Sequence, residues 1–423
     1  MMSEEETQPQ VLIIGAGAAG LWCAARAAEQ GLSVVVVEKT QRSGTKILAS
    51  GGSRCNITTT LGPRDAGHLF GTRGERFLRS ALGRLTPLDV RERLRSLGVE
   101  TSEAPLEKVF PASDRARDVR DAMEQWARDA GARFEFSRAV TGVERVGELW
   151  RVQTEAGTNL EAPNLVLATG GQSYPRMGTT GDAYAWLQGL DLPLVEPVPA
   201  LVPLRSPAEW VWSLTGISVQ DNELRLENAE GRILGRRSRP IIFTHQGVSG
   251  PGAMDLSEHV ARAKGQTCWL LVDLLPMVDR EALRERLIEA AAAKRAPTLS
   301  RVVASLAKAP LAKRLLTAVA AQAGLPQADP AANTLAKRFR HEWIEALKGL
   351  RVPVDGTLDY DKAEVTAGGL DLRAVDPKTM TVRGNPGLFA IGELLDLQGP
   401  IGGLNFQAAF ATAEACAATI AQS

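Results

Sequence analysis

The stretch Val11-Leu12-Ile13-Ile14-Gly15-Ala16-Gly17-Ala18-Ala19-Gly20 decides the fold. Apolar residues lead without a break into a GxGxxG triplet, and the alanine-rich run 18–30 then stops at Gly31. A short, continuous apolar run is the pattern of a parallel strand covered on both faces, and a helix that stops on glycine ends where a left-handed residue is needed. A second apolar run, 34–38 (VVVVE), completes a strand–helix–strand unit. In such a unit the first glycine permits a tight turn, the second lets backbone approach a pyrophosphate, and the third packs helix on strand. Glu38 closes the second strand about 20 residues beyond the glycines, where a carboxylate accepts from a ribose 2′-hydroxyl and disfavours a 2′-phosphate. Glycine-rich turns are common, so the triplet alone is weak. Its place between strand and helix, with the acid that follows, makes Gly15, Gly17, Ala18, Ala19, Gly20, Glu38 and Lys39 candidate dinucleotide contacts.

Two later segments repeat the buried-strand pattern, 164–168 (NLVLA) and 388–391 (LFAI), and each runs into glycine. They are expected at the carboxyl edge of the first sheet, where open α/β sheets bind ligands. Glycine-terminated strands so far apart suit a ligand longer than the nucleotide of a plain dehydrogenase. That marks Thr169, Gly170, Gly171, Gly392 and Glu393 as contacts and FAD, held non-covalently, as the cofactor. The predicted architecture is α/β, with a discontinuous Rossmann-type FAD-binding domain of the two-dinucleotide-binding flavoprotein kind over 1–195 and 352–423. A mostly-β substrate domain over 196–279 is expected from alternating segments such as 224–227 and 240–244. A helical subdomain over 280–351 is expected from its Ala, Leu, Lys and Arg content, with Pro297, Pro310 and Pro326 as breaks.

A chain of 423 residues is long enough for two or three domains. Lysine plus arginine and aspartate plus glutamate stand at 49 each, so no global charge favours nucleic acid or membrane. Locally, 280–351 carries 14 Lys/Arg against 6 Asp/Glu, a surplus that either tracks phosphates or decorates solvated helices. Cys23, Cys55, Cys268 and Cys416 form no CxxC, so neither a zinc site nor a disulfide framework is expected, and a reducing cytoplasm fits. The run 11–25 imitates a signal peptide, but it follows Glu4, Glu5 and Glu6 and is broken by glycines, so it reads as buried strand and helix. No other stretch approaches the roughly 18 apolar residues of a membrane helix, so a soluble protein is expected.

After the first unit comes Ser43-Gly44-Thr45-Lys46-Ile47-Leu48-Ala49-Ser50-Gly51-Gly52-Ser53-Arg54-Cys55-Asn56-Ile57-Thr58, dense in small and polar residues that let backbone wrap a flat ring. Here the chain resembles the YhiN-like (BaiN/RdsA-like) FAD-dependent oxidoreductases, also described as aminoacetone oxidase family FAD-binding enzymes, whose pattern includes SGxGRCNxT. The resemblance continues through Phe110-Pro111-Ala112-Ser113-Asp114-Arg115-Ala116, Ala168-Thr169-Gly170-Gly171, Ser173-Tyr174-Pro175 and Gly178-Thr179-Thr180-Gly181-Asp182. It resumes in Phe243-Thr244-His245, Ser249-Gly250-Pro251 and Gly392-Glu393-Leu394-Leu395-Asp396. Near the C-terminus, Gly402, Gly403, Asn405 and Gln407 match a pattern close to TGGYNLQWAF, whereas Leu404 and Ala408 replace its Tyr and Trp. The resemblance implies FAD contacts from Lys46, Ser50, Gly51, Gly52, Arg54, Cys55, Asn56, Asp396, Gly402, Gly403 and Asn405. It places Gly392 and Glu393 near the pyrophosphate and ribityl chain. A helix N-terminus beyond Gly403 would favour an anionic reduced ring, although the same glycines also read as a plain turn into a C-terminal helix.

No second GxGxxG lies between strand and helix, so NAD(P)H, if it reduces the flavin, docks transiently. Cys55 lacks the neighbouring cysteine of a redox disulfide and is a candidate proton donor or an inert packing residue. His245, after the strand pattern at 240–244, is a candidate acid/base or a structural histidine. Three functional readings stay open. The first, which the resemblance permits, is an NAD(P)H-driven reductase of an unsaturated ring, including uridine of large-subunit ribosomal RNA going to dihydrouridine, with the RNA met by 280–351. The second is a small-molecule oxidase or enone reductase, and the third a flavin-bound scaffold without catalysis.

Overall fold

Five parallel strands form the sheet on which the glycine turns are mounted. The computed structural model of the chain describes residues 8–422, so Glu4, Glu5 and Glu6 lie outside the described residues. The strands are β1 (Val11–Ile14), β2 (Val34–Val37), β3 (Arg133–Glu135), β4 (Asn164–Leu167) and β5 (Leu388–Ala390), and their spatial order is β5-β4-β1-β2-β3. Every residue of β1 and β2 is buried, as continuous Val and Ile runs require when helices cover both faces of a sheet. In register, Val11 to Ile14 face Asn164 to Leu167 on one side and Val34 to Val37 on the other. All carboxyl ends therefore lie along one edge, which is the predicted Rossmann-type α/β fold.

The helix α1 (Ala18–Glu29) packs its alanine face on this sheet and against α2 (Leu404–Ile420), the last helix of the chain. Their side chains meet in rising order. Ala19 and Ala409 both approach Gly392, Trp22 meets Phe410 and Glu414, and Arg26 binds Glu414. The two helices therefore run parallel, and their N-termini open at the same end. A lock of charge and aromatic contact holds them there. The Trp22 indole and the Arg26 guanidinium both donate to Glu414, and Trp22 packs edge-on against Trp126 at 5.2 Å.

The chain divides into two compact units, residues 1–198 with 364–423, and residues 199–363. The second unit differs from the expected pair of separate β and helical domains. One apolar core joins strand residues Leu226, Leu270 and Val272 with helix residues Leu283, Leu316, Trp343 and Leu347, so the helices cover the sheets. The return to the first unit falls at 364, later than the expected 352. The reason is that Leu350–Val354 continues an antiparallel sheet by pairing with Cys268–Asp273, Leu350 opposite Val272. Among the described residues no helix is long and apolar enough to cross a membrane.

Candidate cofactor site

The site is built at the carboxyl edge of the parallel sheet, where backbone crowding accounts for the glycines. A side chain on Gly15 would place Cβ 2.6 Å from the Ala168 carbonyl oxygen, and one on Gly20 would lie 1.9 Å from the Gly15 oxygen. Gly17 meets nothing within 4 Å, which leaves open space beside the start of α1. No side chain caps that helix and its first turn holds no acid, so its positive end remains available to an anion. The start of α2 at Gly403 is likewise uncapped and free of acid in its first turn. Two uncapped helix N-termini at one edge, with an open cradle between glycine turns, fit a diphosphate and an electron-accepting ring. These residues therefore fit FAD.

The two distant ends of the chain meet here. Gly392 (φ 69°) approaches Ala19 so closely that a Cβ on it would lie 2.8 Å from the Ala19 methyl, and its amide donates to Thr412 Oγ1 at 3.1 Å. Glu393 is the hub of a polar cluster. It accepts from Lys46 Nζ at 2.5 Å, from Ser173 Oγ at 3.0 Å and from the Thr366 amide at 2.9 Å. Thr366 in turn caps the Gly170-Gly171 turn by accepting from the Gln172 amide at 2.7 Å, and a Cβ on Gly171 would come within 2.4 Å of its hydroxyl. Thr366 and Ser173 were not among the residues predicted for the site. Ser173 lay within a recognised motif, whereas Thr366 carried no signal, because only the folded chain brings it under Gly171.

Glu38 folds back over the first glycine turn, accepting from the Ala16 amide at 2.8 Å and from the Thr40 amide at 2.8 Å. With the Thr40 hydroxyl that makes three bonds, and a carboxylate offers about four acceptor sites. Lys39 is bound to Thr180 and Asp182, so it ties the Gly178–Asp182 loop to the end of β2.

The loop after the first unit is strained. Ser50 is extended, Gly51 (φ 56°) and Gly52 (φ 67°) are left-handed, and so are Ser53 (φ 68°) and Cys55 (φ 62°), where a side chain costs about 1–3 kcal/mol. Arg54 lies over the Phe110 ring at 4.3 Å, and Asn56 accepts from the Val109 amide at 3.2 Å. The Cys55 thiol is wholly buried, which pushes it up to about 12, with a partial offset from Ser50; at neutral pH it is a thiol and not a thiolate. The loop reaches α2 through Thr58, whose hydroxyl meets Gln407 Oε1 at 2.7 Å and whose carbonyl would stand 2.0 Å from a Cβ on Gly403. Asn405 clamps the preceding turn by accepting from the Gly399 amide at 2.8 Å and donating to its carbonyl at 3.0 Å. Asp396 lies 3.8 Å from Arg73, and Gly402 has φ 145°.

Tyr174 is the other strained residue at this edge. It sits at φ 56°, ψ 57°, directly before Pro175, a combination that a bulky residue ahead of proline avoids. His245 belongs to the second unit, exposed in the turn between Ile241–Thr244 and Gly247–Ser249. Among the described residues, no group of three His, Cys, Asp or Glu side chains is arranged to hold a metal.

Comparison with known proteins agrees with this geometry. Residues 9–419 match the family described as HI0933-like protein Rossmann domain. A protein of Haemophilus influenzae named ribosomal RNA dihydrouridine synthase is 31% identical over 416 residues, 97% of this chain and 98% of that protein. The 3-dehydro-bile acid delta(4,6)-reductase of Clostridium scindens is 28% identical over 404 residues, 95% of this chain and 96% of the other. In fold, the chain is similar to a 3-ketosteroid-delta4-(5alpha)-dehydrogenase of Rhodococcus jostii, with a TM-score of 0.50 and 15% identity over 100% of this chain and 99% of that one. The chain thus belongs to the HI0933-like Rossmann-domain family and is one of its FAD-dependent oxidoreductases.

Proposed function

We propose that this protein binds FAD non-covalently at the edge described above and, in the cytoplasm, uses NAD(P)H to reduce uridine of large-subunit ribosomal RNA to dihydrouridine. The observation that carries this reading is the similarity, along nearly the whole of both chains, to a protein named ribosomal RNA dihydrouridine synthase. Bound FAD, once reduced, supplies a hydride to a conjugated carbon–carbon double bond. The protein supplies the rest. The α1 N-terminus and Glu38 orient the nucleotide half, the Lys46–Glu393–Thr366 cluster fixes the turns around the ring, and the α2 N-terminus favours negative charge on the reduced ring.

The charge distribution of 280–351 supports an RNA partner. Arg280, Arg284 and Arg286 are neutralised by Glu345, Glu281 and Glu289. Lys294, Arg295, Lys313, Lys337 and Arg340 have no carboxylate partner among the described residues, and the helices Lys313–Gln322 and Lys337–Lys348 open on basic residues with no acid in their first turns. Cations at the positive end of a helix dipole are locally unfavourable and are offset when a polyanion binds. A second reading, reduction of a small enone, is favoured by the similarity to the bile acid reductase and requires the same chemistry on a different double bond.

An anaerobic stopped-flow experiment separates the two. The holoenzyme should bleach with NADPH or NADH and recover its yellow colour on addition of unmodified ribosomal RNA, with a steep salt dependence. Recovery with a cyclic enone and none with RNA would replace the first reading by the second. A flavin that no nicotinamide reduces would remove the proposed electron donor.

A further inference from the structure

We propose that Tyr174 is the proton donor of the reaction, delivering its phenolic proton to the substrate carbon next to the carbonyl. This rests on the reading of the protein as a reductase of a conjugated double bond. Three observations single the residue out. The first is its position: Tyr174 ends the loop leaving β4, between Ser173, which binds Glu393, and Met177, whose carbonyl accepts from Thr45 Oγ1 at 2.6 Å. It thus stands between the strained Thr45–Ser53 segment and the Gly392-Glu393 turn. The second is its backbone, held left-handed ahead of a proline, a conformation that persists only where the surrounding structure imposes it. Glycine or asparagine would adopt it with less strain.

The third observation is the hydroxyl. The chain has three tyrosines. The partly exposed Tyr174 has no hydrogen-bond partner for its hydroxyl among the described residues. Burial of the ring, and then the Glu364 carboxylate, push its ionisation above the ordinary 10.0, so the phenol keeps its proton at neutral pH. The thiol of Cys55 is also protonated, but it is wholly buried.

The chemistry balances. Reduction adds a hydride, two electrons with one hydrogen, to the carbon β to the carbonyl, and reduced flavin is the donor. The α carbon, now carrying the electron pair of the former double bond, takes the proton as the Tyr174 O–H bond breaks. The phenolate left behind recovers a proton from water.

The test compares wild-type holoenzyme with Tyr174→Phe, which keeps ring and backbone and removes only the hydroxyl that carries the proton. FAD affinity and the rate of bleaching by nicotinamide are expected to stay within about threefold of wild type, while reoxidation by unmodified ribosomal RNA slows by about 10²–10⁴-fold. Tyr174→His, which tolerates a left-handed backbone and carries a transferable proton, should restore part of that loss. Reoxidation of Tyr174→Phe within threefold of wild type would overturn the proposal, and so would loss of FAD, which would make the ring structural. If RNA fails to reoxidise the wild type, the substrate reading falls, and 2-cyclohexenone replaces it as oxidant. The same loss in Tyr174→Phe then supports the proton role, and equal rates refute it. If neither compound reoxidises the wild type, the proposal falls with the reductase reading.

Discussion

Replacing Gly403 by Ala probes the joint on which the cofactor site depends. Gly403 is left-handed (φ 78°), and a Cβ there would lie 2.0 Å from the Thr58 carbonyl oxygen. That oxygen belongs to backbone that cannot swing away freely, since Thr58 pairs with Val109 and its side chain binds Gln407 one turn into α2. The left-handed conformation costs an alanine about 1–2 kcal/mol. Forcing a methyl into backbone contact adds about 1–3 kcal/mol. The total, about 2–5 kcal/mol, corresponds to roughly thirty- to several-thousand-fold if it falls wholly on the FAD-competent arrangement.

The assay is fluorescence titration of the apoprotein with FAD, run beside thermal unfolding. Gly31→Ala is the control, because Gly31 is also left-handed (φ 83°) but a Cβ there meets nothing within 4 Å. It should lose about 1–2 kcal/mol of stability and leave FAD affinity unchanged. Gly403→Ala binding FAD within threefold of wild type, with no greater loss of stability than Gly31→Ala, would refute the reasoning.

Further outcomes follow from particular side chains. Lys46→Met should destabilise the protein by about 1–3 kcal/mol by leaving Glu393 without its cation, and Lys46→Met with Glu393→Gln should recover part of that loss; a strictly additive double mutant in chemical denaturation would deny the coupling. Cys55, raised from 9.0 to about 12, contributes stability that is complete below pH 9 and is withdrawn between pH 9 and 12, so Cys55→Ala should unfold less steeply across that window. Native Cys55 should also resist iodoacetamide at pH 8 until the chain unfolds, as mass spectrometry would show. Arg338→Glu with Arg340→Glu should weaken RNA binding and lower the slope of log K against log salt by about 1 per lost phosphate contact, with bleaching by nicotinamide unchanged.

The parts of this molecule that a sequence reveals are those fixed by local chemistry. Val11–Ile14 and Val34–Val37 are buried on both faces and therefore apolar throughout, and of the glycines between them Gly15 and Gly20 cannot be replaced without colliding with Ala168 or with Gly15. The extent of the second unit was hidden for the opposite reason. Leu350–Val354 alternates buried and exposed residues in a way that serves any sheet, and its partner, Cys268–Asp273, lies some 80 residues earlier. The same limit applies within the site. Lys46 and Glu393 are 347 positions apart, and nothing local announces their ion pair. Asn405 was legible as a motif residue, yet its amide is spent on both backbone groups of Gly399. For Tyr174 the letters Ser-Tyr-Pro were visible, but the left-handed backbone that sets the residue apart is a property of the fold.

The most direct test of a flavin site assembled from the two ends of the chain is a visible-absorbance titration of FAD-stripped protein with FAD, carried out on wild type and on Gly392→Val. The wild type should take up one FAD per chain with a resolved flavin spectrum. Gly392→Val, whose side chain would collide with Ala19, should lose that spectrum while unfolding cooperatively. A wild-type chain that stays colourless in excess FAD, or a Gly392→Val variant that binds FAD as tightly as wild type, would contradict the account.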